Sequence, residues 1–129
     1  MYYTFTPDNL VDIGHPARTD IYKIAKGSGD LKRGQVLGLV TSTPSGEGEK
    51  ATVGTLKPCD SSNEDGSQTP FAVLAEDMEN NATADATAPV YIEGTFNSKA
   101  LIFGGTDTVA THKAAAKNAN LYFIEFVER

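Results

Sequence analysis

Apolar and polar positions alternate most cleanly over residues 90–96, where Val90, Ile92 and Phe96 share one parity and Tyr91, Glu93 and Thr95 the other. A period of two marks a strand with one face on a core. The stretch PVYIEGTF is therefore predicted as a strand, with Val90, Ile92 and Phe96 as core residues. Gly94 interrupts the apolar parity, which predicts that another backbone comes close there. Shorter apolar runs follow the same logic. DIYKIA at 20–25, QVLGLVTS at 35–42 and FAVLAE at 71–76 are each bounded by glycine, proline or polar turn formers and are predicted as strands. The chain closes on LYFIEFV, where Leu121, Phe123 and Val127 alternate with Tyr122, Ile124 and Phe126. Both parities are apolar, so this strand is expected to be covered on two sides, by the core and by another subunit, with Phe123 and Ile124 as structural core.

One segment carries helical signals, DTVATHKAAAKNAN at 107–120. Asp107 or Thr108 can cap its start, Ala114, Ala115 and Ala116 favour the helix, and Lys113 and Lys117 suit its negative end. Asn118 or Asn120 can close it in the left-handed region. The intervening stretches KGSGDLKRG, TPSGEGEK, KPCDSSNEDGSQTP and DMENNATADAT are polar and rich in turn formers, and they read as loops. The predicted fold class is mainly β, a β-rich α+β domain of barrel-like or sandwich-like build with long loops and one short late helix.

Composition narrows the function classes. At 129 residues one domain is expected. A net charge of -6 with scattered Lys and Arg argues against a nucleic-acid groove, which needs a clustered basic excess. No apolar run approaches a membrane span, so no membrane partner is expected, and the N-terminus lacks the basic-then-apolar pattern of a secretory signal. A single cysteine, Cys59, permits no intrachain disulfide and reads as a small buried or loop residue. NAT at 81–83 fits a glycosylation sequon but has no secretory context.

Residues that carry chemistry are sparse. His15 lies before Pro16 in a polar loop, His112 lies mid-helix, and neither has a His or Cys at ligand spacing. No G-x-S-x-G stretch supports a nucleophile elbow. The carboxylates Glu76, Asp77 and Glu79, and again Asp60, Glu64 and Asp65, read as solvated loop, and DSSNEDG around the second group lacks calcium-loop spacing. GSG at 27–29 and GEG at 46–48 are not phosphate loops. No catalytic residue, metal or cofactor is expected.

Aromatics concentrate at the chain ends and in the 88–105 region. Tyr2, Tyr3, Thr4, Phe5 and Thr6 form a strand-prone group cut off by Pro7. The segment is read either as an arm that becomes ordered on docking to an exposed sheet edge, or as an edge strand of the domain's own sheet. Residues 1–20 are accordingly read as arm and linker, and 21–129 as the body.

Laid out in this order, the chain resembles the bacteriophage lambda head decoration protein family. The resemblance rests on LKRGQVLG at 31–38, GTLKPCDSSNEDGSQTPFAVLAED at 54–77, APVYIEGTFN at 88–97, and a short helix followed by LYFIEFV. It implies a β-rich homotrimer on the outer surface of the virion, assembled in the host cytoplasm. Such a trimer binds the expanded head of a tailed phage at threefold positions and holds neighbouring copies of the major capsid protein against internal DNA pressure. It also implies a capsid-binding arm, here Tyr2, Tyr3, Thr4, Phe5, Thr6 and Pro7. The rival expectation is a carbohydrate- or ligand-binding β domain displayed on a virion, which requires a concave pocket with convergent polar and aromatic side chains.

Overall fold

A computed structural model describes residues 10–11, 17–42, 53–79 and 84–124. Among these residues six strands and one α-helix follow one another as β1 (Arg18–Ile24), β2 (Val36–Leu39), β3 (Leu56–Pro58), β4 (Ala72–Leu74), β5 (Ala86–Asn97), α1 (Val109–Asn118) and β6 (Leu121–Ile124). Five of them close a barrel. β1 pairs in parallel with β3 through Ile24 and Leu56, β3 with β2, β2 with β4, and β4 with β5 are antiparallel, and β5 returns to β1 in an antiparallel ladder from Arg18↔Glu93 to Ile24↔Ala86. Closure removes the open sheet edges that a flat sheet of such short strands would leave.

β5 is longer than the barrel needs. Its last four residues, Gly94 to Asn97, leave the barrel and pair in parallel with β6. Parallel neighbours require a crossover, and residues 98–120 supply it with a 3₁₀ turn at Ser98–Ala100 followed by α1. Gly94 is the joint. A Cβ there would stand 3.0 Å from Ala17 Cβ and 3.3 Å from Ala17 Cα, so the approach of a second backbone foreseen from the sequence is that of the residue preceding β1.

Two apolar clusters share the barrel wall. Inside the barrel lie Ile24, Leu31, Leu37, Leu56, Ala72, Leu74, Ala88 and Val90, with Ile92 half-buried against them. Between the wall and the α1–β6 layer lie Leu10, Val11, Val36, Cys59, Val73, Phe96, Ala116, Leu121 and Phe123. Successive residues of β2 and β4 therefore enter different clusters, which is why VLGLV and AVL are apolar without alternation. Phe96 does not share a cluster with Val90 and Ile92. Beyond Gly94 the strand turns out of the barrel, and the Phe96 ring packs on Tyr91 (centroids 5.7 Å apart) and Phe123 (6.5 Å).

β6 is covered on one side only in this single chain. Leu121 and Phe123 are buried, whereas Tyr122 and Ile124 are 42% and 40% exposed. Assigning Ile124 to the core is thus corrected: β6 is added to the outside of β5, and its outward parity meets no described element. Phe126 and Val127 lie outside the described residues. The body also reaches further back than residue 21. Leu10 and Val11 are buried, Asn97 N–H donates to Leu10 O (2.8 Å), and Val11 bridges to Phe96.

β3 has no signature in the sequence, because three residues ending in Lys57 and Pro58 carry no alternation. The helix starts as its composition predicts. Thr108 is the N-cap and donates its N–H to Thr111 Oγ1 (3.1 Å), while Asn120 (φ 64°) takes the left-handed position that turns the chain into β6.

Candidate functional site

Chemistry-bearing side chains converge where the segment after β3 meets the start of α1. Asp107, just before the N-cap, does not cap the helix. Its Oδ2 accepts from the Ser61 N–H (2.6 Å) and lies 2.7 Å from His112 Nε2, and its Oδ1 accepts from the Ser61 hydroxyl (2.7 Å). Hydrogen bonds from the Ser61 hydroxyl first, and from His112 next, hold the Asp107 carboxyl below the usual carboxylate range. An ionised Asp107 can only accept, so His112 donates from Nε2. His112 is buried, and its ring stacks on Phe103 at 5.4 Å between centroids.

Cys59 completes the group. Its Sγ lies 3.8 Å from both Nδ1 and Nε2 of His112. A sulfur equidistant from the two ring nitrogens lies along neither lone pair. Burial, followed by the negative charges of Asp107 and Asp60, pushes the Cys59 thiol up to about 12. These are the residue types of a nucleophile, base and orienting acid, but the sulfur is too far from Nδ1 (3.8 Å) for a close hydrogen bond and the buried thiol stays protonated. The sequence gives no hint of this cluster, because Cys59 and His112 are 53 positions apart. Among the described residues no group of three or more His, Cys, Asp or Glu could hold a metal.

The segment 59–70 is a fixed structure and not the solvated loop expected from its composition. Asp65 is buried and pairs with Lys57 Nζ at 2.9 Å. Asp60 Oδ1 accepts from the N–H (2.9 Å) and hydroxyl (2.7 Å) of Ser62. Asn63 Nδ2 donates to Pro58 O (3.3 Å) and Ser67 Oγ (2.8 Å). Burial raises the Asp65 carboxyl, but the Ser67 hydroxyl, Lys57 and the Ser67 N–H outweigh it, and the net shift is downward. The segment lies flat on β2 at Gly38, where a Cβ would come within 2.5 Å of Ser67 Cα.

A cleft of about 460 Å³ opens beside this segment, lined by Lys26, Ser28, Lys57, Asp60, Asn63 and neighbouring small residues. Among the described residues no aromatic side chain lines it. Ser28 Oγ donates to Ala25 O (2.7 Å), and Lys57 and Asn63 are engaged as described, so these three lining groups already hold hydrogen bonds within the fold. Among the described residues this cleft does not offer the convergent polar and aromatic side chains that a carbohydrate site requires.

The residues singled out from the sequence do not form one site. Val90 lies inside the barrel, Phe96 and Phe123 in the outer cluster, Ile92 half-buried, and Ile124 on the surface. Tyr2, Tyr3, Thr4, Phe5, Thr6 and Pro7 lie outside the described residues. No helix among the described residues is long and apolar enough to cross a membrane.

A closed five-stranded mixed barrel with one added strand, one helix and a side-chain cluster spent on internal hydrogen bonds defines a small structural β domain. The family model for bacteriophage lambda head decoration protein D matches residues 8–122, and the chain belongs to that family. The family is one of structural phage capsid proteins and not an enzyme family. Membership places the protein among viral capsid decoration proteins, associated with the phage capsid. No curated protein matches the chain.

Proposed function

We propose that the protein is a cement for the phage head, binding the expanded capsid as a homotrimer and stabilising it against the pressure of packaged DNA. The observation that carries this reading is the family match, which runs through all the strands up to Tyr122 of β6. The build of the domain supports it. A barrel closed on itself, with a second cluster clamped to its wall, gives a rigid body in which no reaction centre has to open. The major capsid protein of a tailed phage is the proposed partner, and Tyr2, Tyr3, Thr4, Phe5, Thr6 and Pro7 are the proposed contact. A strand-prone segment of this length adds to an exposed sheet edge, and three such arms on one trimer convert weak single contacts into avidity. The outward parity of β6, Tyr122 and Ile124, is an apolar surface available to a neighbouring subunit.

The test is to mix the purified protein with expanded, undecorated capsids of its own phage and to count bound copies, beside a version lacking residues 1–7. Saturation at the threefold positions, with binding or capsid heat resistance lost in the deletion, is the expected result. Absence of binding by the intact protein overturns the reading. Full binding by the deletion removes the arm from it.

A further inference from the structure

Asp65–Gly66 is the one Asp–Gly pair in the sequence. Among the pairs an aspartate can form in an unfolded chain, this one is the most prone to spontaneous isomerisation, because a residue without Cβ leaves its own amide nitrogen free to reach the preceding side-chain carbonyl. The fold cannot replace this glycine. Its φ is +104°, and a Cβ would press on Thr41 Oγ1 and stand 2.7 Å from Leu39 O. The protein therefore carries a labile dipeptide of necessity.

Both reacting groups are held elsewhere. Asp65 Oδ2 accepts from Lys57 Nζ (2.9 Å), and Oδ1 accepts from the Ser67 N–H (3.1 Å) and hydroxyl. The Asp65 carbonyl accepts from Thr41 N–H (2.7 Å) and Ser42 N–H (3.1 Å), fixing the backbone on that side. The Gly66 N–H donates to Gln68 Oε1 at 2.8 Å. Ring closure needs a free amide nitrogen and a carboxyl that has taken up a proton; here the amide is engaged and the carboxylate faces a lysine. Its titration, shifted downward, works in the same direction.

We propose that Asp65–Gly66 is a latent isoaspartate site, kept closed by the hydrogen-bond cage of Lys57, Ser67 and Gln68 and released when that cage opens. In the reaction the Gly66 nitrogen gives up its proton and bonds to Asp65 Cγ. A Cγ–O bond of the protonated carboxyl breaks and water leaves, forming a five-membered succinimide. Water then adds to one of the two ring carbonyls. Opening at the former side-chain carbonyl restores aspartate, and opening at the backbone carbonyl leaves the chain running through Cγ as isoaspartate. The water lost is regained, and nothing is oxidised or reduced.

The full chain is held at neutral pH and constant temperature, both native and in ~6 M guanidinium chloride. Isoaspartate at position 65 is then measured over time by peptide mass spectrometry and by enzymatic methylation with an isoaspartyl methyltransferase. Conversion is expected to be roughly tenfold or more slower in the native protein, because it must wait for local opening. In native buffer, Lys57→Ala and Ser67→Ala, each checked for a cooperative thermal transition, are expected to convert several-fold faster than the unmodified sequence. Equal rates with and without denaturant overturn the proposal, as do folded variants that convert no faster. If neither variant folds, the comparison of native with denatured protein decides alone.

Discussion

Phe96 belongs to the outer apolar cluster, and substitution can measure its burial there. Its side chain is fully buried and sits among Tyr91, Phe123, Leu121 and Val11. Burying a phenylalanine removes about 150–250 Å² from water, worth about 4–6 kcal/mol at 25 cal/mol per Å². Alanine retains part of that, and large-to-small changes of this kind cost about 3–5 kcal/mol once the residual cavity is included. For a chain of 129 residues, an unfolding entropy of about 2.1 cal/mol/K per residue is about 0.27 kcal/mol/K. Phe96→Ala is thus expected to lower the melting midpoint by about 15 °C. The matched control is Ile124→Thr, which keeps a β-branched side chain on the outward parity of β6 and should cost below about 1 kcal/mol. Calorimetry on both variants at low protein concentration checks the pair. A Phe96→Ala loss under about 1.5 kcal/mol, or an Ile124→Thr loss as large as that of Phe96→Ala, refutes the assignment of the two residues to interior and surface.

Further outcomes follow from the cluster around Asp107 and from the 59–70 segment. Asp65 and Asp107 both have lowered pKa values in the folded state, so each contributes stability that is fully present above the unfolded value near pH 4 and is lost as pH falls through the folded value. Thermal midpoints recorded from neutral pH downward should therefore fall below about pH 4, and the fall should be shallower in Asp107→Asn and Asp65→Asn, each compared with its own midpoint at neutral pH. Cys59, buried and with its thiol pushed up to about 12, should resist a thiol reagent at pH 8 in the folded protein and react at once in denaturant; stoichiometric labelling of the native protein contradicts this. Gly38→Ala places a methyl against the Ser67 backbone and should cost about 1–3 kcal/mol or more, with loss of amide protection across 63–69 measured by hydrogen exchange. Unchanged protection there would mean that the segment does not lie against β2.

Much of this fold is legible in the residue pattern. β1, β2, β4, β5 and β6 lie where apolar runs meet turn formers, and α1 starts and stops on the cap residues that its composition nominates. The remainder has no local signature, for physical reasons. β3 is held by its neighbours: Lys57 and Pro58 have little strand preference, but β2 supplies partners for both. Phe96 shares the parity of Val90, yet the two lie in different clusters because β5 bends out of the barrel at Gly94, and parity predicts a common face only along a strand that keeps its course. Ile124 is as apolar as a core residue, but burial depends on what packs over a face, and the sequence of one chain does not record a neighbour. The Cys59–His112–Asp107 group is invisible locally because tertiary contact alone brings its members together. Asp65 reads as loop charge, since nothing in DSSNEDG marks which carboxylate turns inward toward Lys57.

One wall serves two chambers. Val36 and Leu37 are neighbours in β2, and Val73 and Leu74 in β4, but in each pair one side chain holds the barrel interior together and the other holds the helical layer on. Neither half can melt while the other stays intact, because loosening either one frees the strands that line both. The protein should accordingly behave as a single fuse with one breaking point: amides of β2, β4 and β5 exchange together, at the free energy of global unfolding, and no half-dressed intermediate lingers on the way down.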